Sequence, residues 1–116
     1  MILVTDSMHA TGTGFTGYTD FAGQKVFVTE DVALLPTTKR PAASILTLDK
    51  AIRNVVKWQA ATLEQAVSMA TINPATLLSL NTRGRIASGY LADVVALDND
   101  LQVVATWCKG VLAYHI

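Results

Sequence analysis

The chain opens on Met1-Ile2-Leu3-Val4-Thr5, a short apolar, β-branched run that stops at Asp6. Such a run reads as a strand buried on both faces, the kind found in parallel sheets. A strand of that kind needs a neighbour on each side. Either later strands of the same chain supply the neighbours, or sequence outside the chain does. That choice governs every architecture open to the remaining residues.

The other constraints come from size and charge. A length of 116 residues is about one domain, and 51% of them are apolar, ample for a packed core and far from the composition of disordered chains. Lysine plus arginine equals aspartate plus glutamate, nine each, and no basic run of five occurs. A charged face for nucleic acid or anionic membrane is therefore not expected. No apolar run approaches the roughly 20 residues that span a bilayer. The first residues carry no basic segment of the signal-peptide type. One cysteine, Cys108, cannot close an internal disulfide, which makes a reducing cytoplasm the default compartment.

Along the chain, Asp6 to Gly23 is rich in Gly, Thr and Ser and reads as loop. Lys25–Val28 and Val32–Leu35 flank Thr29-Glu30-Asp31, which predicts a hairpin with a polar turn. Two prolines between Pro36 and Ala43 predict a break in regular structure. Leu48, Ala51, Ile52, Val55 and Val56 recur at helical spacing between charged and polar residues, an amphipathic stripe. Thr62 and Gln65 form a capping box for a second helix with Leu63, Ala66, Val67 and Ala70 on its buried face. Asn73-Pro74 starts a third, short helix, with Asn as cap and Pro in the first turn. From Gly84 the pattern turns to β. Asp93–Leu97 is a strand, Asp98-Asn99-Asp100 a turn, Leu101–Cys108 a strand, and Lys109-Gly110 a two-residue hairpin into Val111–Tyr114.

Asp6 is the leading chemical candidate. A carboxylate where a buried strand runs into a glycine-rich loop stands where α/β sheets place reactive groups, although Asp also caps turns in that position. His9 and His115 are the two imidazoles. Zinc sites take three or four convergent ligands, and neither His9 nor the pair Cys108 and His115 has the partners to make such a set. Thr11-Gly12-Thr13-Gly14 lacks the lysine and the following helix of a phosphate loop. Asp93, Asp98 and Asp100 are explained by turn chemistry.

Taken together these segments resemble one family. Leu3-Val4-Thr5-Asp6-Ser7-Met8 resembles the end of the eighth barrel strand in N-acetylglucosamine-6-phosphate deacetylases, where Thr-Asp-Ala or a similar triplet precedes Met. Leu46-Thr47-Leu48-Asp49-Lys50-Ala51-Ile52-Arg53-Asn54 is similar to the helix that follows there. Asn73-Pro74-Ala75 and Gly84-Arg85-Ile86 through Gly89 to Ala92-Asp93 match signatures shared across the amidohydrolase superfamily. The resemblance covers the chain from end to end, in order.

It implies an α/β fold, the C-terminal part of a (β/α)₈ barrel of the TIM type plus part of a small β-sandwich. Residues 1–82 would be the last barrel strand, an active-site loop and hairpin, and terminal helices; residues 83–116 would be sandwich strands. A whole barrel takes about 250 residues. The family deacetylates N-acetylglucosamine 6-phosphate to glucosamine 6-phosphate and acetate. A divalent metal (Zn, Fe, Mn or similar) is held by glutamate and histidine ligands on earlier strands, which have no counterpart here. By the same resemblance Asp6 is the general base, and Pro41, Ala42 and Ala43 occupy the substrate-lining loop. Relatives often carry Leu-Ala-Gly-Ser there. Ala43 in place of Gly loses access to positive φ, and Pro41 lacks a backbone donor. The amino-sugar phosphate is the partner implied, with no nucleic acid or membrane, and the intact enzyme is a homodimer.

On this reading the chain does not catalyse alone. It is a piece of such an enzyme, or a second chain supplies the remainder. Two alternatives stand beside it: a fragment of another amidohydrolase, dihydroorotase-like or deaminase-like, and a non-catalytic binding module that kept the C-terminal strands.

Overall fold

Alternation of buried and exposed positions organises the first half of the molecule. The computed structural model describes residues 1–116. Four strands, β1 (Gly17–Phe21), β2 (Gln24–Val28), β3 (Val32–Leu34) and β4 (Pro41–Ser44), form an antiparallel sheet in that order. Val26 and Val28 on β2 point to a common core with Met8, Ala10, Ala33 and Ala43, while Lys25 and Phe27, which alternate with them, are exposed. This is the period-two pattern of a half-buried strand.

Two of these strands correct the sequence expectation. Residues 17–21 were expected in loop, yet β1 pairs along its whole length with β2, Thr19 opposite Val26 and Tyr18 opposite Phe27. The Tyr18 and Phe27 rings meet edge-on at 4.9 Å, a cross-strand contact of the stabilising kind. Ala22 and Gly23, both at positive φ, make the tight turn between the strands. The second correction is β4, where Pro41 was expected to break regular structure. It is the first residue of an edge strand, a place where its missing N–H costs the ladder little. The β2–β3 hairpin matches its expectation. The Thr29 hydroxyl donates to Val32 O (2.8 Å) and accepts from Val32 N (3.1 Å), closing the turn.

The opening apolar run is not a strand. Met1 is 90% and Val4 76% exposed, and Leu3 N donates to Met69 O (3.0 Å) rather than to a strand neighbour. Its one β contact comes just after it, as an isolated parallel bridge between Ser7 and Ser44. Both sheets are antiparallel meanders, and neither offers the run a parallel neighbour on each side.

Contacts divide the chain into Val4–Ala51 and a second unit of Met1–Leu3 with Ile52–Ile116. Helix α1 (Leu48–Lys57) buries Ala51 and half-buries Ile52, Val55 and Val56 of its predicted stripe, while Leu48, the first residue of that stripe, is 40% exposed. In the second unit, α2 (Leu63–Ala70) begins with the predicted capping box. Gln65 N donates to Thr62 Oγ1 and Thr62 N to Gln65 Oε1. Of its predicted buried face only Ala66 is fully buried; Leu63 and Val67 remain more than a third exposed. α3 (Ile72–Leu77) starts after Thr71, not at Asn73. The Asn73 amide donates instead to Met1 O (2.7 Å), so it is spent on a long-range tie and caps nothing.

The second sheet is the expected meander, β5 (Val94–Leu97), β6 (Val103–Cys108) and β7 (Val111–His115). Asp98 Oδ1 accepts from Asp100 N and Gln102 N at its first turn. Lys109 and Gly110, both at positive φ, make the second. Asp93 does more than open a strand. It accepts from Lys109 N (2.8 Å) and pairs with Arg83, tying the approach to β5 to the far turn.

Gly84 is the least replaceable backbone position in this unit. Its φ is +90°, and an added Cβ would lie 2.8 Å from Ile72 Cα and 3.0 Å from Thr71 O. Gly84→Ala combines a left-handed backbone with a backbone clash, for an expected cost of about 2–4 kcal/mol. Thermal unfolding should show a midpoint lowered by about 10 °C or more; a change within about 2 °C would disprove this packing.

Hydrogen bonds from its own backbone N–H and from Thr62 hold the exposed Glu64 carboxyl below its ordinary value of 4.5. A depressed folded value means the contribution is present above the unfolded value and is lost as pH falls through the folded one. An NMR titration of Glu64 should show a midpoint below 4.5, and Thr62→Ala should move it upward.

Candidate active site

Asp6 stands where the apolar opening run ends, with its backbone at φ 52°, the left-handed region that few residues other than glycine occupy. The residues after it fasten this geometry. Asp6 O accepts from Ser44 N (3.2 Å), Met8 N donates to Ser44 O (3.0 Å), and Ser7 bridges Ser44 between them. Met8, only 4% exposed, anchors the segment in the core.

Asp6 opens onto a concavity of about 280 Å³ whose other walls are Pro41, Ala42, Ala43 and Ser44 on β4, Val32 on β3, and Asp31 in the turn before it. The structure thus brings together all four residues singled out by sequence: Asp6, Pro41, Ala42 and Ala43. β4 explains how alanine is accommodated at 43. Ala43 is paired with Ala33 in a strand and is not at positive φ, so the glycine common among relatives is not required by this backbone. Pro41 lines the wall without an N–H to offer.

Asp31 is the residue that sequence reading missed. It was expected in a polar hairpin turn, where the structure has it, and that turn also borders the concavity that Asp6 lines. Lys50 on α1 holds Asp31 Oδ1 at 3.3 Å, with the Asp31 side chain 84% exposed. No local signal distinguishes such an Asp from any other turn Asp; its role depends on where β3 and β4 place the wall opposite. Two acidic residues, Asp6 and Asp31, thus line the concavity, and the Lys50 ammonium lies against the second of them. That charge set suits proton acceptance and hydrogen bonds from hydroxyl or amide donors.

A second concavity of about 250 Å³ lies under the glycine-rich loop, lined by Gly12, Gly14, Phe15, Thr47 and Lys50 among others. The hydroxyl of Thr11 in the same loop is buried without a partner. His9 is exposed and lies 3.4 Å from the Thr19 hydroxyl, outside both concavities. His115 and Cys108 are exposed on the second sheet. Trp58 is 70% exposed, and Trp107 is half-buried on β6. No three His, Cys, Asp or Glu side chains gather in a geometry that would hold a metal ion. The donor set of this chain therefore does not fit the divalent metal that the resemblance implies.

An N-acetylglucosamine-6-phosphate deacetylase of Lysinibacillus sphaericus is 43% identical over 110 residues, covering 95% of this chain and 28% of that protein. An N-acetylgalactosamine-6-phosphate deacetylase of Escherichia coli is 35% identical over 114 residues, covering 97% of this chain and 30% of that protein. The crystal structure of N-acetylglucosamine-6-phosphate deacetylase from Thermotoga maritima superposes with a TM-score of 0.89 at 34% identity, over 100% of this chain and 31% of that one. The chain thus spans less than a third of the length of these relatives. The amidohydrolase family model matches residues 9–114, nearly the whole sequence, and the chain belongs to the amidohydrolase family.

Proposed function

We propose that this chain forms the C-terminal part of an enzyme that hydrolyses the acetamide of an N-acetylhexosamine 6-phosphate, with Asp6 as general base. The observation that carries the reading is the meeting of Asp6 with Pro41, Ala42 and Ala43 around one concavity. Relatives named for the glucosamine and for the galactosamine substrate both match the chain, at 43% and 35% identity, so the class of sugar is common to both and the higher identity favours N-acetylglucosamine 6-phosphate. Asp6 takes a proton from the attacking water and returns it to the departing amine, leaving acetate and an amino-sugar phosphate. A carboxylate so placed typically contributes about 10²–10⁴-fold.

In this reading residues 1–82 belong to the end of a (β/α)₈ barrel and residues 83–116 to a small β-sandwich. The ligands of the family's divalent metal belong to the part of the enzyme that these residues do not include. The isolated chain is inactive. A homodimer and a cytoplasmic setting, where Cys108 stays reduced, complete the reading.

The test is a chimera in which this chain replaces the matching segment of the Lysinibacillus sphaericus deacetylase, assayed for acetate release. The chimera should turn over N-acetylglucosamine 6-phosphate, and Asp6→Asn should lower kcat by about 10²-fold or more. The 116-residue chain alone should release no acetate. A folded chimera without activity would reduce the resemblance to ancestry, and Asp6→Asn at wild-type rate would remove Asp6 from the chemistry.

A further inference from the structure

We infer that Ser7 and Ser44 are positioning residues whose hydroxyls lock Asp6 against the β4 wall of the concavity, an inference that rests on reading Asp6 as the base. Asp6 sits at φ 52°, a left-handed conformation that Asp adopts more readily than most L-residues and that the neighbouring contacts hold in place. The backbone supplies part of the restraint. Ser44 N donates to Asp6 O and Met8 N to Ser44 O, but the pairing is an isolated bridge with no flanking ladder.

The two hydroxyls supply the rest, and they converge on one residue. Ser7 Oγ donates to Leu46 O. Leu46 N donates to Ser44 Oγ at 2.8 Å. Both peptide groups of Leu46, on the connection from β4 to α1, are thereby tied to the two serines of the bridge. Rotation about the Asp6–Ser7 link would swing the carboxylate away from Pro41–Ser44, and it is opposed on both sides. On the far side Met8 is held in the core. Ser7 is not among the residues that line the concavity, so its hydroxyl serves Asp6 through the backbone.

Hydrogen exchange on the 116-residue chain tests the lock directly. In Ser7→Ala, the Ser44 and Met8 amides should exchange about tenfold faster, the effect of one lost hydrogen bond, with Val26 on β2 unchanged. Ser7→Thr, which keeps the hydroxyl, should stay near the parent. Uniform acceleration that includes Val26 would assign Ser7 to general stability, and unchanged Ser44 exchange would dismiss the lock; either overturns the inference.

The chimera then reads the consequence. Ser7→Ala and Ser44→Ala should each lower kcat about tenfold or more with KM held within about threefold, and the threonine variants should recover it. A rise in KM at constant kcat, or no change in either, overturns a positioning role. If the parent chimera is inactive while the exchange result holds, the general-base reading fails, and with it the positioning role, although the lock itself is real.

Discussion

Two backbone hydrogen bonds and one residue pair, Ser7 with Ser44, attach the segment after Asp6 to β4. Remove them and β4 still pairs with β3. The carboxylate, however, would no longer be held near Pro41–Ser44. The site thus depends on a short-range attachment between a segment with no strand neighbours and the edge of an antiparallel sheet. The sheet contributes a fixed wall because its register is set by β2, whose fully buried valines would turn to solvent on a one-residue slip.

Electrostatics narrow what such a wall can receive. Asp6 and Asp31 both line the concavity, and no lysine or arginine does. Lys50 reaches Asp31 but lines the neighbouring concavity. A phosphate set directly against two carboxylates would meet like charge, so the acetamide end of the proposed substrate suits this concavity and the phosphate end does not.

What could be read from the sequence was what is settled locally. The Thr62 and Gln65 capping box, the Lys109-Gly110 turn and the Thr29–Asp31 turn each depend on residues a few positions apart, and each is found. β1 and β4 were missed because their stability lies across the sheet. Gly17–Phe21 looks like loop by composition until Thr19 is set against Val26, and Pro41–Ser44 looks broken until it is placed at an edge. Asn73 failed as a cap for the same reason, drawn off by Met1 at the other end of the sequence. At the site, Asp6 and Pro41–Ala43 were legible through family resemblance, whereas Asp31, a generic turn residue, required the structure.

The same contrast appears in the helices. The apolar stripes of α1 and α2 are present in sequence, but in α2 only Ala66 is fully buried, and Leu77 and Leu78 at the end of α3 are 73% and 66% exposed. β7 is exposed along its length, with Val111 at 69%. Burial of a Leu or Val side chain contributes about 1.5–3 kcal/mol, so these positions leave much of their hydrophobic stabilisation unrealised. Soluble domains rarely leave so many large apolar side chains uncovered without a surface to meet them. In the proposed reading that surface is the remaining length of the enzyme, and the stripes record burial in the whole protein. Patterning in sequence reports the environment in which a segment was selected, while accessibility in the 116-residue chain reports only the neighbours this chain itself supplies.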